Sequence, residues 1–166
     1  MVELNVDQCL DECSELFGNH KYAPLAVFLG ITEGLQMMIH SHHWETQGPN
    51  SYEDHKLFEQ IYTAMDPQID KLGEKVVGLS GEPKLVNYFP RMKVIQKFLE
   101  TFTTPDPYVV VSLSAINGYI SIGEKLMDRL KEANLLSRGL EQALGDILDV
   151  QETHAYLLMQ RVSKIK

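Results

Sequence analysis

Four stretches of this chain, residues 22–47, 51–79, 108–130 and 140–162, repeat apolar side chains at helical spacing for much longer than a strand runs. In the first the stripe is Leu25, Phe28, Leu29, Ile31, Leu35, Met38 and Ile39; in the second it is Leu57, Phe58, Ile61, Tyr62, Met65, Ile69, Leu72, Val76 and Leu79. Ile116, Tyr119, Ile120, Ile122, Leu126, Met127 and Leu130 carry the third, and Leu140, Leu144, Ile147, Leu148, Tyr156, Leu158, Met159 and Val162 the fourth. Each stripe must be covered by another helix, so the chain is restricted to an all-α bundle. The β-branched run Tyr108-Val109-Val110-Val111 favours strand locally, but the helical period continues through it, and helix is the expected outcome.

The breaks between stripes fall at Gly and Pro. Gly48-Pro49-Asn50 ends the first, and Ser51 is expected to cap the second, with Asp54 three residues on. Gly81 and Pro83 stop that helix, and Asn134–Gly139 form the last turn. Residues 84–107 are bounded by prolines and hold a shorter amphipathic piece, Met92, Val94, Ile95, Phe98 and Leu99, which reads as a crossover between the second and third long helices. Residues 2–17 read as a short surface helix through Val6, Leu10, Cys13 and Phe17. Pro67, inside the second helix, lacks an N–H and clashes with the preceding turn, so a kink is expected near Thr63–Asp66. Residues 1–166 read as one domain, with no repeat or linker.

Charge narrows the function classes. Lys and Arg number 15 against 23 Asp and Glu, a formal net charge of −8, which disfavours coating nucleic acid with the whole surface. No run approaches a membrane span, the start lacks the order of a signal peptide, and a cytoplasmic location is expected. Cys9 and Cys13 sit four apart on one helix face, the spacing of packing or surface thiols rather than of a Cys-x-x-Cys pair.

The second helix carries two pairs of potential ligands, His55/Glu59 and Asp70/Glu74, each pair on one face. Glu59 and Asp70 are 11 residues apart, close to a whole number of turns, so all four share one stripe but lie about 16 Å apart along the axis. One straight helix cannot close that gap. A second copy running antiparallel across a two-fold axis would bring one chain's Asp70/Glu74 against the other's His55/Glu59. Without such a partner these carboxylates read as a solvated face. His43 lies on the apolar stripe of the first helix, where an imidazole needs a hydrogen-bond partner or a metal. His40 and His42 read as surface or supporting residues. A further possibility is an intrachain cluster of His43, His55 and His154 around one divalent ion, as in a metallohydrolase.

His43-Trp44, Gly48-Pro49-Asn50, His55, Phe58, Glu59, Asp70 and Glu74 together resemble the signature of the Dps family, the miniferritins or starvation-induced DNA-binding proteins of the ferritin-like superfamily. The resemblance is close over about residues 25–81. It is weaker over 108–162, where Gln151-Glu152-Thr153-His154-Ala155-Tyr156 is similar to the family's last helix. It implies a ferritin-like four-helix bundle with a short helix in the crossover, assembled as a hollow dodecamer from two-fold dimers. It implies ferroxidase centres between chains, with His43, His55 and Glu59 of one facing Asp70 and Glu74 of its neighbour. Fe(II) would be oxidised there by hydrogen peroxide or oxygen, and ferric mineral stored in the cavity. Imidazole and carboxylate suit iron, since thiolates would select zinc or a cluster. Trp44 and Tyr156 resemble family positions proposed to donate electrons and quench stray oxidising equivalents; both also read as core aromatics, which is the better reading for Tyr156.

This chain also departs from the family pattern. Glu59 stands where most members have Asp, and Pro67 precedes Asp70. The turn 134–139 lacks the acidic cluster common at the family's iron-entry pores, for which Asp128, Glu132, Glu141, Asp146 and Asp149 are the nearby substitutes. There is no Lys-rich N-terminal tail, the basic end being Arg161, Lys164 and Lys166, so direct DNA binding is not expected. The alternative functional reading is a non-catalytic cage or partner-binding bundle with a degenerate metal site.

Overall fold

In the computed structural model, residues 5–165 are described, and the earliest residues of the first predicted helix and Lys166 of the basic end lie outside them. The architecture is all-helical: α1 (Val6–Ser14), α2 (Ala23–Glu45), α3 (Ser51–Ser80), α4 (Tyr88–Thr101), α5 (Tyr108–Glu132) and α6 (Arg138–Val162), with short 3-10 turns at Glu15–Phe17 and Pro83–Val86. The four long helices α2, α3, α5 and α6 form the bundle: α2 packs on α3 and α5, α6 packs on α5 and on α3, and α4 crosses α2 in the connection between α3 and α5. The long crossover with its short helix is therefore where the sequence placed it.

Apolar stripes build the core. Leu25, Phe28, Leu35 and Ile39 of α2, Phe58, Ile61, Met65 and Leu72 of α3, Ile116, Tyr119 and Leu126 of α5, and Leu140, Leu144 and Leu158 of α6 are all fully buried. Val109 and Val111 are buried helical residues, so packing overrides the strand preference of the valine run. Two glycines set the approach of α4 to α2. A Cβ on Gly30 would lie 3.1 Å from Val94 Cβ, and one on Gly34 would lie 3.2 Å from Phe98. α1 is held by buried Leu10 and Cys13 and by Arg129 of α5, which reaches Asp7 and Asp11 at 2.6 Å each. Cys13 is thus a packing thiol and Cys9 is half-buried.

Two local expectations change, the cap of α3 and the start of α6. Ser51 is the first residue of α3 rather than its cap, and Asp54, expected beside it in a capping box, turns into the protein and accepts two bonds from Arg161, at 2.5 and 3.0 Å. Pro67 does not interrupt α3, which runs unbroken to Ser80; on that turn the Gln36 amide of α2 donates to the Tyr62 carbonyl at 3.2 Å and to the Asp66 carboxylate at 2.6 Å. Helix α6 starts at Arg138, capped by Ser137, whose hydroxyl accepts from the Leu140 N–H at 3.2 Å.

A polar chain crosses the core between α3 and α6. His154 Nδ1 donates to Gln151 Oε1 at 3.2 Å, and Gln151 Nε2 donates to Gln68 Oε1 at 3.0 Å. Burial pushes the His154 imidazole below its usual value of 6.5. In the unfolded chain the ring titrates at that ordinary value, so as pH falls the unfolded state takes up the proton first. The stability contributed by neutral His154 is complete above that pH and is lost as pH falls through it toward the depressed folded value. His154→Gln is expected to flatten the fall in melting temperature between about pH 7.5 and about pH 5, measured by circular dichroism; a fall as steep as that of the parent would contradict this account.

Candidate metal centre

His43 stands in the last turn of α2 and His55 in the second turn of α3. The intervening turn reverses the chain through Gly48, whose φ of +97° lies in the region that disfavours a Cβ. This reversal puts the imidazoles face to face, with ring centroids 3.6 Å apart and planes inclined by 27°. Each ring bonds the other residue's backbone: His43 Nδ1 to the His55 carbonyl and His55 Nδ1 to the His43 carbonyl, both at 2.9 Å. A carbonyl oxygen only accepts, so both Nδ1 atoms carry protons, and in the neutral ring each Nε2 keeps its lone pair. The backbone thereby fixes the tautomer that a metal-binding imidazole needs.

Glu59 lies one turn beyond His55. Its carboxylate accepts from Lys56 Nζ at 2.7 Å, and this lysine, with smaller contributions from His43 and His55, holds it below the usual carboxylate range. Asp70 and Glu74 are exposed, one turn apart, and border a shallow groove with Leu29, Val77 and Arg91. Arg91 is bonded to Glu33 at 2.7 Å, and burial raises the Glu33 carboxyl. Among the described residues no three His, Cys, Asp or Glu side chains converge as a metal-binding group within one chain. The two histidines meet; the two acids share a separate groove. The intrachain cluster of His43, His55 and His154 is not formed, because His154 is buried in the core and committed to Gln151.

Other expected positions move. His42 is not a surface residue: it is buried, bonded through Nδ1 to Ser112 Oγ at 2.8 Å and stacked on Tyr108 at 4.7 Å, and burial lowers its pKa to about 4. Tyr156 is 55% exposed and is no core aromatic, and Trp44 is 68% exposed. The acids Asp128, Glu132, Glu141, Asp146 and Asp149 are all exposed on α5 and α6, Asp146 lying 3.7 Å from Lys71. His40, expected only as a surface or supporting residue, has its ring 4.0 Å from those of both Trp44 and Tyr62. Spacing was the available signal, since His40 precedes His43 by three residues and Tyr62 follows Glu59 by three.

No family model matches the chain. A DNA protection during starvation protein from Brevibacillus brevis is 39% identical over 49 residues, which is 30% of this chain and 33% of that protein. One from Listeria innocua is 27% identical over 93 residues, 55% of this chain and 50% of that protein. The similarity thus spans half or less of these relatives' length. The crystal structure of the Dps protein from Vibrio cholerae O1, described as a member of a broad superfamily of ferritin-like diiron-carboxylate proteins, superposes with a TM-score of 0.69 over 98% of both chains at 18% identity. The bundle therefore has a ferritin-like fold, and parts of the chain are similar in sequence to DNA protection during starvation proteins.

Proposed function

We propose that the protein is a miniferritin. Fe(II) enters a centre shared by two-fold-related chains, where His43, His55 and Glu59 of one chain face Asp70 and Glu74 of the other, and is oxidised by hydrogen peroxide or oxygen. Two Fe(II) ions supply the two electrons that split one peroxide into two waters with uptake of two protons. The ferric product mineralises inside a hollow cage, taken to be a dodecamer as in the family, with residues 1–166 acting as one ferritin-like unit in the cytoplasm. Removing peroxide and free Fe(II) together limits oxidative damage. Among the described residues no helix is long and apolar enough to cross a membrane. With a formal net charge of −8 the chain is not assigned a DNA-binding role.

The observation that carries this reading is the reciprocal clasp of His43 and His55, each held by the other's carbonyl. Two buried or half-buried imidazoles fixed with free Nε2 lone pairs are arranged for a metal rather than for core packing. The exposed pair Asp70/Glu74 supplies hard, anionic oxygens that hold Fe(II) and tolerate Fe(III). The opposing observation is the Lys56–Glu59 pair, which ties up the carboxylate at a position where the family usually has Asp and favours a degenerate, non-catalytic cage. Addition of Fe(II) and peroxide decides between them. A ferric absorbance and an electron-dense core, in a particle with the mass of a cage, are expected; a cage that leaves Fe(II) unoxidised would establish the degenerate reading.

A further inference from the structure

Helix α1 carries the chain's two cysteines on one face, and the proposed iron centre uses neither. Cys9 is half-buried, and Cys13 is 2% exposed and packs on the core with one side. Their other side borders an open cavity of about 550 Å³ between α1 and α4, walled by Gln8 and Glu12 of α1 and by Lys97 and Thr101 of α4. The two thiols are in hydrogen-bonding contact, Cys9 donating and Cys13 accepting, which raises the first and lowers the second from the ordinary thiol range. Lys97 serves both: its ammonium lies 3.3 Å from Glu12 and is close enough to act on each sulfur. Glu12 also accepts from Gln8 at 2.7 Å, so both of its carboxylate oxygens are taken.

We propose that Cys9 and Cys13 bind a soft monovalent ion, Cu(I), as a two-coordinate dithiolate site. Thiolate sulfur suits Cu(I), zinc and iron–sulfur clusters, but a structural zinc or a cluster takes four ligands. Among the described residues no three His, Cys, Asp or Glu side chains converge, which leaves the ion that two sulfurs satisfy. Geometry separates a bridging ion from a disulfide. Residues four apart on a helix hold their Cβ atoms about 5–6 Å from each other, and a disulfide requires about 3.5–4.5 Å, so closing that bond would distort α1. An ion between the sulfurs replaces one S–S bond by two metal–sulfur bonds and spans the wider gap with the helix intact. On binding, each thiol releases its proton to solvent, and the complex of one Cu(I) with two thiolates carries one net negative charge. The Lys97 ammonium beside both sulfurs neutralises that charge, an attraction strengthened where Cys13 is shielded from water. The site shares no residue with the histidine clasp or the Asp70/Glu74 groove, and its purpose does not depend on the miniferritin reading.

Titration of the reduced protein with Cu(I) in the absence of oxygen, in competition with the coloured Cu(I) chelator bicinchoninate, tests the site. The parent chain is expected to retain one Cu(I), with a nearest shell of two sulfurs by X-ray absorption. Cys9→Ser, at the half-buried position, is expected to weaken binding about 100-fold, equivalent to about 2.8 kcal/mol, while the circular dichroism spectrum stays that of the parent. Lys97→Met, which keeps both sulfurs, is expected to weaken it about tenfold. Equal retention of Cu(I) by Cys9→Ser would overturn the assignment. So would a shell of nitrogen in the parent, which the His43–His55 pair would supply. The parent measurement stands even if a cysteine variant fails to fold. Fe(II) oxidation is recorded separately: a chain that holds Cu(I) on two sulfurs and leaves Fe(II) unoxidised would defeat the ferroxidase reading alone.

Discussion

His55→Ala and Asp70→Ala subunits, each inactive when assembled alone, are expected to recover Fe(II) oxidation when unfolded together and co-assembled. In the shared centre each two-fold pair holds two sites, and each site takes its imidazoles from one chain and its Asp70/Glu74 pair from the other. A mixed pair then has one site in which both contributions are intact and one in which both are damaged. Random assortment makes about half of the pairs mixed, so about a quarter of the parent's activity is expected to return. Each variant alone is expected to lose on the order of 100-fold or more, since even residues that only support a ligand cost 10–100-fold when removed. Initial rates of ferric absorbance measure all three samples. A co-assembly no more active than its parts would refute sharing between chains. The geometry motivates the test: within one chain the histidines meet each other, while Asp70 and Glu74 open onto a different groove.

The largest expected effect on stability belongs to Asp54. Its carboxylate and the Arg161 guanidinium form a two-pronged pair whose side chains are only 10% and 16% exposed, joining the first turn of α3 to the last turn of α6. Asp54→Ala leaves the mostly buried guanidinium without its partner at the wall of the open cavity it lines with Tyr108 and Lys164, a change that costs about 3–5 kcal/mol in buried pairs. For a chain of this size each kcal/mol is worth roughly 2–4 °C, so a drop in melting temperature of about 10 °C is expected by calorimetry. Replacing both partners, Asp54→Leu with Arg161→Met, is expected to cost much less, because no charge is left stranded. A single Asp54→Ala variant melting within about 2 °C of the parent would show that water reaches the pair freely. The exposed Lys56–Glu59 pair, at 55% and 42%, provides the contrast, and its removal is expected to leave the melting temperature essentially unchanged.

The difference between these two acids shows what could be read in advance. Glu59 stood out because its spacing from His55 is a property of the helix alone, and the structure leaves it on the same face. Asp54 looked like a helix-capping residue, and its partner is 107 positions away, a distance over which no local pattern carries information. His42 and His43 are neighbours in sequence, yet His42 is bonded to Ser112 and His43 to the His55 carbonyl. A shift of about 100° around the helix separates a core residue from a candidate ligand, and the side of α2 on which α5 packs decided between them.

By itself the sequence determined the number, length and order of the long helices, the crossover with its short helix, and the candidate ligands. Period, glycine and proline act within a few residues and need no partner to be effective. Only the tertiary structure decided that His43 and His55 clasp each other's backbone, that His154 is absorbed into a buried amide chain, and that His40 bridges Trp44 and Tyr62. Those outcomes depend on the relative rotation and offset of packed helices. They are set by how whole faces interdigitate, with glycines such as Gly30 and Gly34 fixing close approach, rather than by any one residue's preference.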